Sequence, residues 1–455
     1  MSVIEESHGA MSRTDKKFNF GVCLIDAVGW PLSAALFSQA TILPTFLKHL
    51  GASDTTVGCL PALYNLLMFL PGLLVAAHVS RLKRARGYLF WIAVLERLPL
   101  LALAYLTLVW GRTHPGWLIA ALFGFITLHA GFMGFNQPAY WVVVGKSVPP
   151  AWRGRLFGYA GGVAGVLGLG MDGLLQRLLS GPDGGFPHGY ALGFFIAFVI
   201  GTVSILPFAV IREPFTRPAN GDDPHAGHYG QDSLRVWRGN AGFRRFLYGQ
   251  IAMASASLAV PFYVLYAQRH LHAGSASLAA YTAALFLVAS FGSLAWGWWS
   301  DRGGNKVVLL AACALLAVTS VFALLAPTPA AFFGVFVLLA LGTSGMNIAG
   351  NNIVMEYAGT PREIPLYTTM YNAITALPRA GAPLLGGILA DRAGGYEALF
   401  LLSAVLAVLS LLLTLRASEP RHRPPLSGGE GGGESPAHLL TAATSAGGDT
   451  RRPGD

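Results

Sequence analysis

Twelve mostly apolar stretches alternate with short polar connections along the chain: 20–44, 56–79, 88–110, 117–143, 156–179, 190–211, 246–268, 278–299, 307–326, 331–355, 368–390 and 396–416. A helix rises about 1.5 Å per residue, so about 20 residues cross a hydrocarbon core of about 30 Å. Within that core every backbone N–H and C=O must be bonded inside the chain, which makes these spans helical. The pattern predicts an all-α membrane protein of twelve transmembrane helices. The first run is long and lacks an Ala-x-Ala cleavage site, so it reads as a membrane helix rather than a signal peptide.

Polar stretches divide the chain into an N-terminal tail (1–19), a six-helix bundle (20–211), a linker rich in Pro, Gly, Asp and His (212–245), a second bundle (246–416) and a tail (417–455). The last is too poor in apolar groups to form a core and is expected to be disordered. The bundles read as repeats. Ser80-Arg81-Leu-Lys83-Arg84 stands after span 2 where Ser300-Asp301-Arg302 stands after span 8. Gly134-Phe-Asn136 through Pro150 aligns without gaps on Gly345-Met-Asn347 through Pro361, and Gly189-Tyr190 matches Gly395-Tyr396.

Composition agrees with a membrane protein: 53% of residues are hydrophobic and only 12% charged, against roughly 25% charged in soluble domains. The net charge of +9 is unevenly spread. Both tails, the linker and the connections after the even-numbered spans collect nearly all the bases, whereas the opposite connections hold only Lys48, Arg112, Arg177, Arg269 and Arg392. Lys and Arg remain on the cytoplasmic side. Both termini are therefore expected in the cytoplasm and the protein in the cytoplasmic (inner) membrane, its basic surface serving the lipid bilayer rather than nucleic acid. Cys23, Cys59 and Cys313 lie in apolar runs and imply no disulfide framework.

The connection after span 8 reads Gly297-Trp-Trp-Ser-Asp301-Arg302-Gly-Gly304-Asn-Lys306. This G-x-x-x-D-R-x-G-x-K pattern resembles the signature loop of the major facilitator superfamily of secondary transporters, whose architecture is parallel six-helix repeats. The resemblance covers residues 20–416. It implies two rigid bundles rocking about a central cavity, lined by helices 1, 4, 7 and 10, with helices 3, 6, 9 and 12 mostly outside. It assigns a gating role to Gly297, Asp301, Arg302, Gly304 and Lys306. Arg81 and Arg84, in a first-half copy that lacks the acid, and Arg153, in Pro150-Ala-Trp-Arg153-Gly154-Arg155, share that role. Two departures weaken the drug/proton antiporter subfamily: helix 4 carries His129 rather than an Arg, and a Gly-Pro-x-x-Gly-Gly-like string, Gly381-Ala-Pro383-Leu-Leu-Gly386-Gly387, stands in helix 11 rather than helix 5.

Ionisable groups within a bilayer cost about 2.5–3.5 kcal/mol at mid-helix, so each is a candidate for function. Asp26 on span 1 is placed to take a proton. Arg379, directly after Pro378 on span 11, is placed to bind an anionic group, pair with Asp26 or clamp helices. Asp172 on span 5 is a third coupling candidate beside a local helix-end reading. Glu96 and Arg97 are neighbours about 100° apart around span 3 and are expected in a structural network with the loop bases. Candidate cavity residues are Gln39, Asn136, Tyr140, Gln250, Tyr263, Asn347, Asn351 and Asn372; Asn136/Tyr140 and Asn347/Asn351, four apart, share helix faces. Such amides also join helix to helix at about 0.6 kcal/mol each. Glycines at 161, 165, 168 and 170 and at 381, 386 and 387 allow close helix approach.

The expected function is a secondary active transporter of a small organic solute, working by alternating access, coupled to protons and acting as a monomer. No nucleotide-binding loop, catalytic constellation or metal-ligand set is present, so no enzyme activity, metal or cofactor is expected. A multidrug efflux antiporter and a non-transporting membrane sensor are the alternatives.

Overall fold

The computed structural model describes residues 11–80, 82–181, 185–214, 229–358, 363–393 and 395–418. The described residues form α1 (Arg13–Ala35), α2 (Ile42–His49), α3 (Asp54–Ser80), α4 (Arg86–Trp110), α5 (Pro115–Ser147), α6 (Pro150–Leu179) and α7 (His188–Ile205) in the first half. The second half follows as α8 (Tyr229–Gly239), α9 (Ala241–Ala256), α10 (Val260–His270), α11 (Ser275–Gly303), α12 (Asn305–Leu325), α13 (Pro329–Ala358), α14 (Ile364–Ala393) and α15 (Glu397–Leu415). Among the described residues, ten helical stretches are long and apolar enough to cross a membrane. α3 and α6 occupy the places of the second and fifth expected spans.

Three local details differ from the reading of the chain. The first span is broken: α1 ends at Ala35 and α2 restarts at Ile42, the gap closing through tight turns such as Leu36 N–H to Ser33 O at 3.1 Å. The seventh breaks likewise at a single 3-10 turn, Ser257–Ala259, before Pro261 restarts it as α10. Proline suits that position because the first helical N–H groups lack partners anyway. The linker also contains a helix, α8, whose Val236 and Trp237 pack against the cluster around Phe243 and Phe246. Asn240 then caps α9, its Oδ1 accepting from Phe243 N–H at 3.0 Å.

The repeat seen in the sequence is a repeat of packing. In the first half α3 and α4 pack on α5, α4 on α7, and α1 on α7 and α6. In the second, α11 and α12 pack on α13, α12 on α15, and α9 on α15 and α14, the same five pairings. The two most extensive contacts between the halves run α3 along α14 and α6 along α11, with smaller ones of α2 on α10 and α1 on α11. Glycines permit the two larger. A Cβ on Gly58 would lie 2.1 Å from Pro383 O, and one on Gly387 2.3 Å from Asp54 O. On α6, Gly165 and Gly168 face Phe291 and Leu287 of α11, whereas Gly170 and Gly381 face open space.

Large apolar side chains cover the outside: Trp117 is 68% exposed and Leu377 75%, with Trp91, Leu98, Tyr105 and Leu108 along the outer face of α4. An exposed apolar surface of this extent belongs in lipid. Polar groups instead occupy the interior, an arrangement that makes this an integral membrane protein.

One end of the bundle, the basal end, holds the start of α1 and the end of α15. There Asn19 bonds Arg212 O at 2.9 Å and Lys306 bonds Ala417 O at 2.7 Å. The other end is sealed between the halves. Asp391 of α14 accepts from the N–H groups of Asp54 and Thr55 at 2.9 and 2.8 Å and from the Thr55 hydroxyl at 2.6 Å. Asp54 in turn meets Lys48 at 2.7 Å, Arg269 at 3.2 Å and the Tyr396 hydroxyl at 3.1 Å. Deeper at this end Thr282 donates to Thr41 at 2.8 Å and Thr45 to Gln268 at 3.3 Å.

Candidate functional site

The buried stripe of α4 runs Leu89, Ala93, Glu96, Arg97, Leu100, Leu103, Ala104 and Thr107. An inward stripe on a helix spans about 100° or more, wide enough to hold both Glu96 and Arg97. Their exposures are 1% and 4%, and that of Asp26 on α1 is 5%. Arg97 Nη2 lies 3.8 Å from Asp26 Oδ1 and its Nη1 3.8 Å from Glu96 Oε2. The guanidinium is fixed by backbone carbonyls, Nε to Gly201 O at 2.6 Å and Nη1 to Ala93 O at 2.7 Å, and sits 5.2 Å over the Trp30 ring. Ser204 donates to Asp26 at 3.0 Å, and Asn136 donates to Glu96 at 2.8 Å. His129 lies in a box of Trp30, Phe37 and Phe125, with Nδ1 2.9 Å from the Glu96 carbonyl oxygen. Two carboxylates therefore face one guanidinium in an apolar interior. Glu96 and Arg97 do not join the loop bases as expected from sequence.

This cluster lines a cavity of about 260 Å³ with Met133, Asn136 and Tyr140. A larger cavity of about 430 Å³ is bounded by α3, α9, α10, α12, α13, α14 and α15. Its polar wall includes Asn65, Gln250, Tyr263, Asn347, Tyr371 and Arg379. Pockets of a few hundred Å³ suit small organic molecules. Helix α3 stands between the two: the Tyr64 hydroxyl contacts Met133 at 2.9 Å, and Asn65 and Met68 line the larger space. Met68 and Leu67 can lie so close to α5 because Gly134 has no side chain; a Cβ there would come 2.6 Å from Met68 O.

Residues expected to form one ring are thus divided. Asp26, Asn136 and Tyr140 share the smaller cavity, while Gln250, Tyr263, Asn347 and Arg379 share the larger. Gln39, Asn351 and Asn372 line neither; Asn351 is exposed and bonds Asn347 O on its own helix at 2.9 Å. Arg379 donates to the Tyr371 hydroxyl at 2.8 Å rather than to Asp26, whose cationic neighbour is Arg97. Asp172 is on α6, its side chain outside the described residues, and Arg81 lies outside them altogether.

The charged turn joins α11 to α12 at the basal end. Gly304 adopts φ 89°, a left-handed conformation that favours glycine. Arg302 stacks 4.0 Å over Trp298, and Lys306 reaches the end of α15. Ser300 bonds Asn305, and Asn305 donates to Glu356 of α13 at 2.7 Å. Asp301, to which the resemblance assigns a gating role, is exposed: Trp296 and Ser300 take the buried face of the last turn, and the next residue rotates outward. Gly297 has open space around it, Arg84 is exposed, and Arg153 ties α6 to Gly145 O at 2.6 Å and Val148 O at 3.1 Å.

Residues 245–449 match the sequence model of the Major Facilitator Superfamily. The fold is that of a major facilitator transporter. Three solved structures share it across nearly their whole length. A bacterial homolog of the human lysosomal transporter Spinster, inward-facing and unoccupied, has TM-score 0.58 and 18% identity over 90% of this chain and 96% of its own. The nucleoside transporter NupG has TM-score 0.60 and 12% identity over 88% and 99%. The Escherichia coli fucose:proton symporter FucP has 0.56 and 16% over 88% and 98%. No curated protein matches the chain in sequence.

In this major facilitator fold α4 does present an apolar outer face, as the resemblance implied, yet its inner face carries the charged centre. The buried positions 89, 93, 96, 97, 100, 103, 104 and 107 follow one helical period, a signal present in the sequence.

Proposed function

We propose that the protein is a secondary transporter that moves a small organic solute through the 430 Å³ cavity and couples the movement to protons at Asp26, Arg97 and Glu96. One observation carries the coupling: two buried carboxylates share a single guanidinium. With both acids ionised the cluster holds an excess negative charge in an apolar interior, which is costly. One added proton makes it neutral.

The distribution of Lys and Arg supports cytoplasmic termini in the inner membrane. The Asp391 seal then faces outward, and the described state is closed on the outer side. The chain functions as a monomer in this reading, since one chain supplies both cavities.

The test is solute flux in proteoliposomes. Solute accumulation is expected to require a pH gradient, and Glu96→Gln or Asp26→Asn should abolish accumulation while solute counterflow persists. Accumulation that ignores both the gradient and the substitutions would leave facilitated diffusion instead.

A further inference from the structure

The larger cavity contains one ionisable centre of permanent charge. Among the described residues that line it, Arg379 is the only Lys, Arg, Asp or Glu. The rest of the wall is amide, hydroxyl, methionine and aliphatic carbon. Three of its hydroxyls are committed to one another: Tyr263 to Ser320 at 2.8 Å, Ser320 to Ser403 at 3.0 Å, and Ser403 to Ala256 O at 2.7 Å. Thr319 and Thr343 donate to carbonyls of their own helices at 2.8 and 2.7 Å.

A different chain of bonds begins at the guanidinium. Arg379 donates to the Tyr371 hydroxyl, so the phenolic proton is directed onward to Gln250 Oε1 at 3.5 Å. That bond orients the Gln250 amide, leaving Nε2 as its remaining donor. Gln250 is only 3% exposed, and its Nε2 is buried without a hydrogen-bond partner. A buried donor with no acceptor is unfavourable and is relieved by a ligand that accepts. Gly350 makes room for this relay, since a Cβ there would stand 3.3 Å from the Tyr371 hydroxyl.

We infer that the 430 Å³ cavity takes a small organic monoanion, its carboxylate held by Arg379 and the Gln250 amide and its body against the methionines. A guanidinium fork matches a carboxylate in shape and charge, and a single cation calls for a single negative charge. This deepens the transport reading and rests on it for the cavity's role.

The experiment uses the full purified chain and three skeletons, each as carboxylate, amide and amine: benzoate, 4-phenylbutyrate and hexanoate with their neutral and cationic counterparts. Binding is read by thermal stabilisation and titration calorimetry. At least one carboxylate should bind, with its amide and amine about tenfold or more weaker, the scale of losing a charged hydrogen bond. Arg379→Gln should lower carboxylate affinity by about tenfold to a hundredfold, Gln250→Ala by less, and Arg379→Lys should retain part of it. Gly350→Ala, which keeps the charge and crowds the relay, gives a second folded variant and should weaken the carboxylate several-fold.

Binding of amines or amides as tight as the carboxylates would overturn the inference. So would unchanged carboxylate affinity in a folded Arg379→Gln protein, or no carboxylate binding at all. Counterflow of whichever compounds bind is measured separately: amines that move would sink the anion site but not transport, and a carboxylate bound yet never moved would do the reverse.

Discussion

The carboxylate of Asp391 caps the first turn of α3 from the opposite half of the molecule, accepting from Thr55 N–H at 2.8 Å and from Asp54 N–H at 2.9 Å. The first N–H groups of a helix have no partner within it, and α3 finds its partner on α14. Asp391→Ala should therefore weaken closure by about 0.5–2 kcal/mol, the range for loss of a helix cap. The measurement is maleimide labelling of a Thr45→Cys probe, buried behind the seal. Faster labelling in the Asp391→Ala background is expected, and unchanged labelling would exclude Asp391 from closure.

Asp54 is the hub of the same seal. Replacing it with Ala leaves Lys48 and Arg269 without the acid that both face. Asp54→Ala should open this end more than Asp391→Ala does in the same labelling assay. High salt should narrow that difference, because Arg269 is half exposed and its attraction is screened.

Arg97 holds two acids, so removing it is expected to be far worse than removing one acid. Arg97→Ala should destabilise the protein by about 3–5 kcal/mol, the cost of stranding a buried charge. Adding Asp26→Asn should restore part of that loss. A double-mutant cycle by chemical denaturation measures the coupling, and strict additivity would refute it.

At the charged turn the two halves of the motif should behave differently. Asn305→Ala removes bonds to Ser300 and Glu356 and should cost about 1–3 kcal/mol. Asp301 is exposed in this state, so Asp301→Ala should leave its thermal stability unchanged. Any loss of transport must then arise in the opposite state, and slower labelling at Thr45→Cys would show the balance moving toward the present one.

Much of the fold was legible in the chain because lipid imposes a simple rule, apolar length, and because the repeat at Asn136 and Asn347 marks equivalent helices. The breaks at Leu36 and Ser257 were not legible. Prolines 31, 61, 138 and 378 all sit inside continuous helices, so proline alone does not mark a break in a membrane helix. Asp26 stood out as an acid in an apolar run. Its partner did not, because a separation of about 100° turns adjacent residues to different directions, while the buried stripe of α4 is broad enough for both Glu96 and Arg97. The division into two cavities depends on where α3 passes, close against α14 at Gly58 and against α5 at Gly134, and no periodicity in the chain states that path.

Because α3 lines the larger cavity through Asn65 and Met68 and touches the Met133 wall of the smaller through Tyr64, occupancy on one side and protonation on the other would, in the proposed transport cycle, meet at a single helix. Equilibrium linkage is reciprocal: if a proton at Asp26 or Glu96 changes solute affinity by some factor, bound solute changes proton affinity by that same factor. Binding of solute to the detergent-solubilised protein, with no membrane and no gradient, should then release or absorb protons in a weakly buffered solution. The two quantities must agree in size, and a side chain at Gly134, where a Cβ would stand 2.6 Å from Met68 O of α3, is expected to change both together.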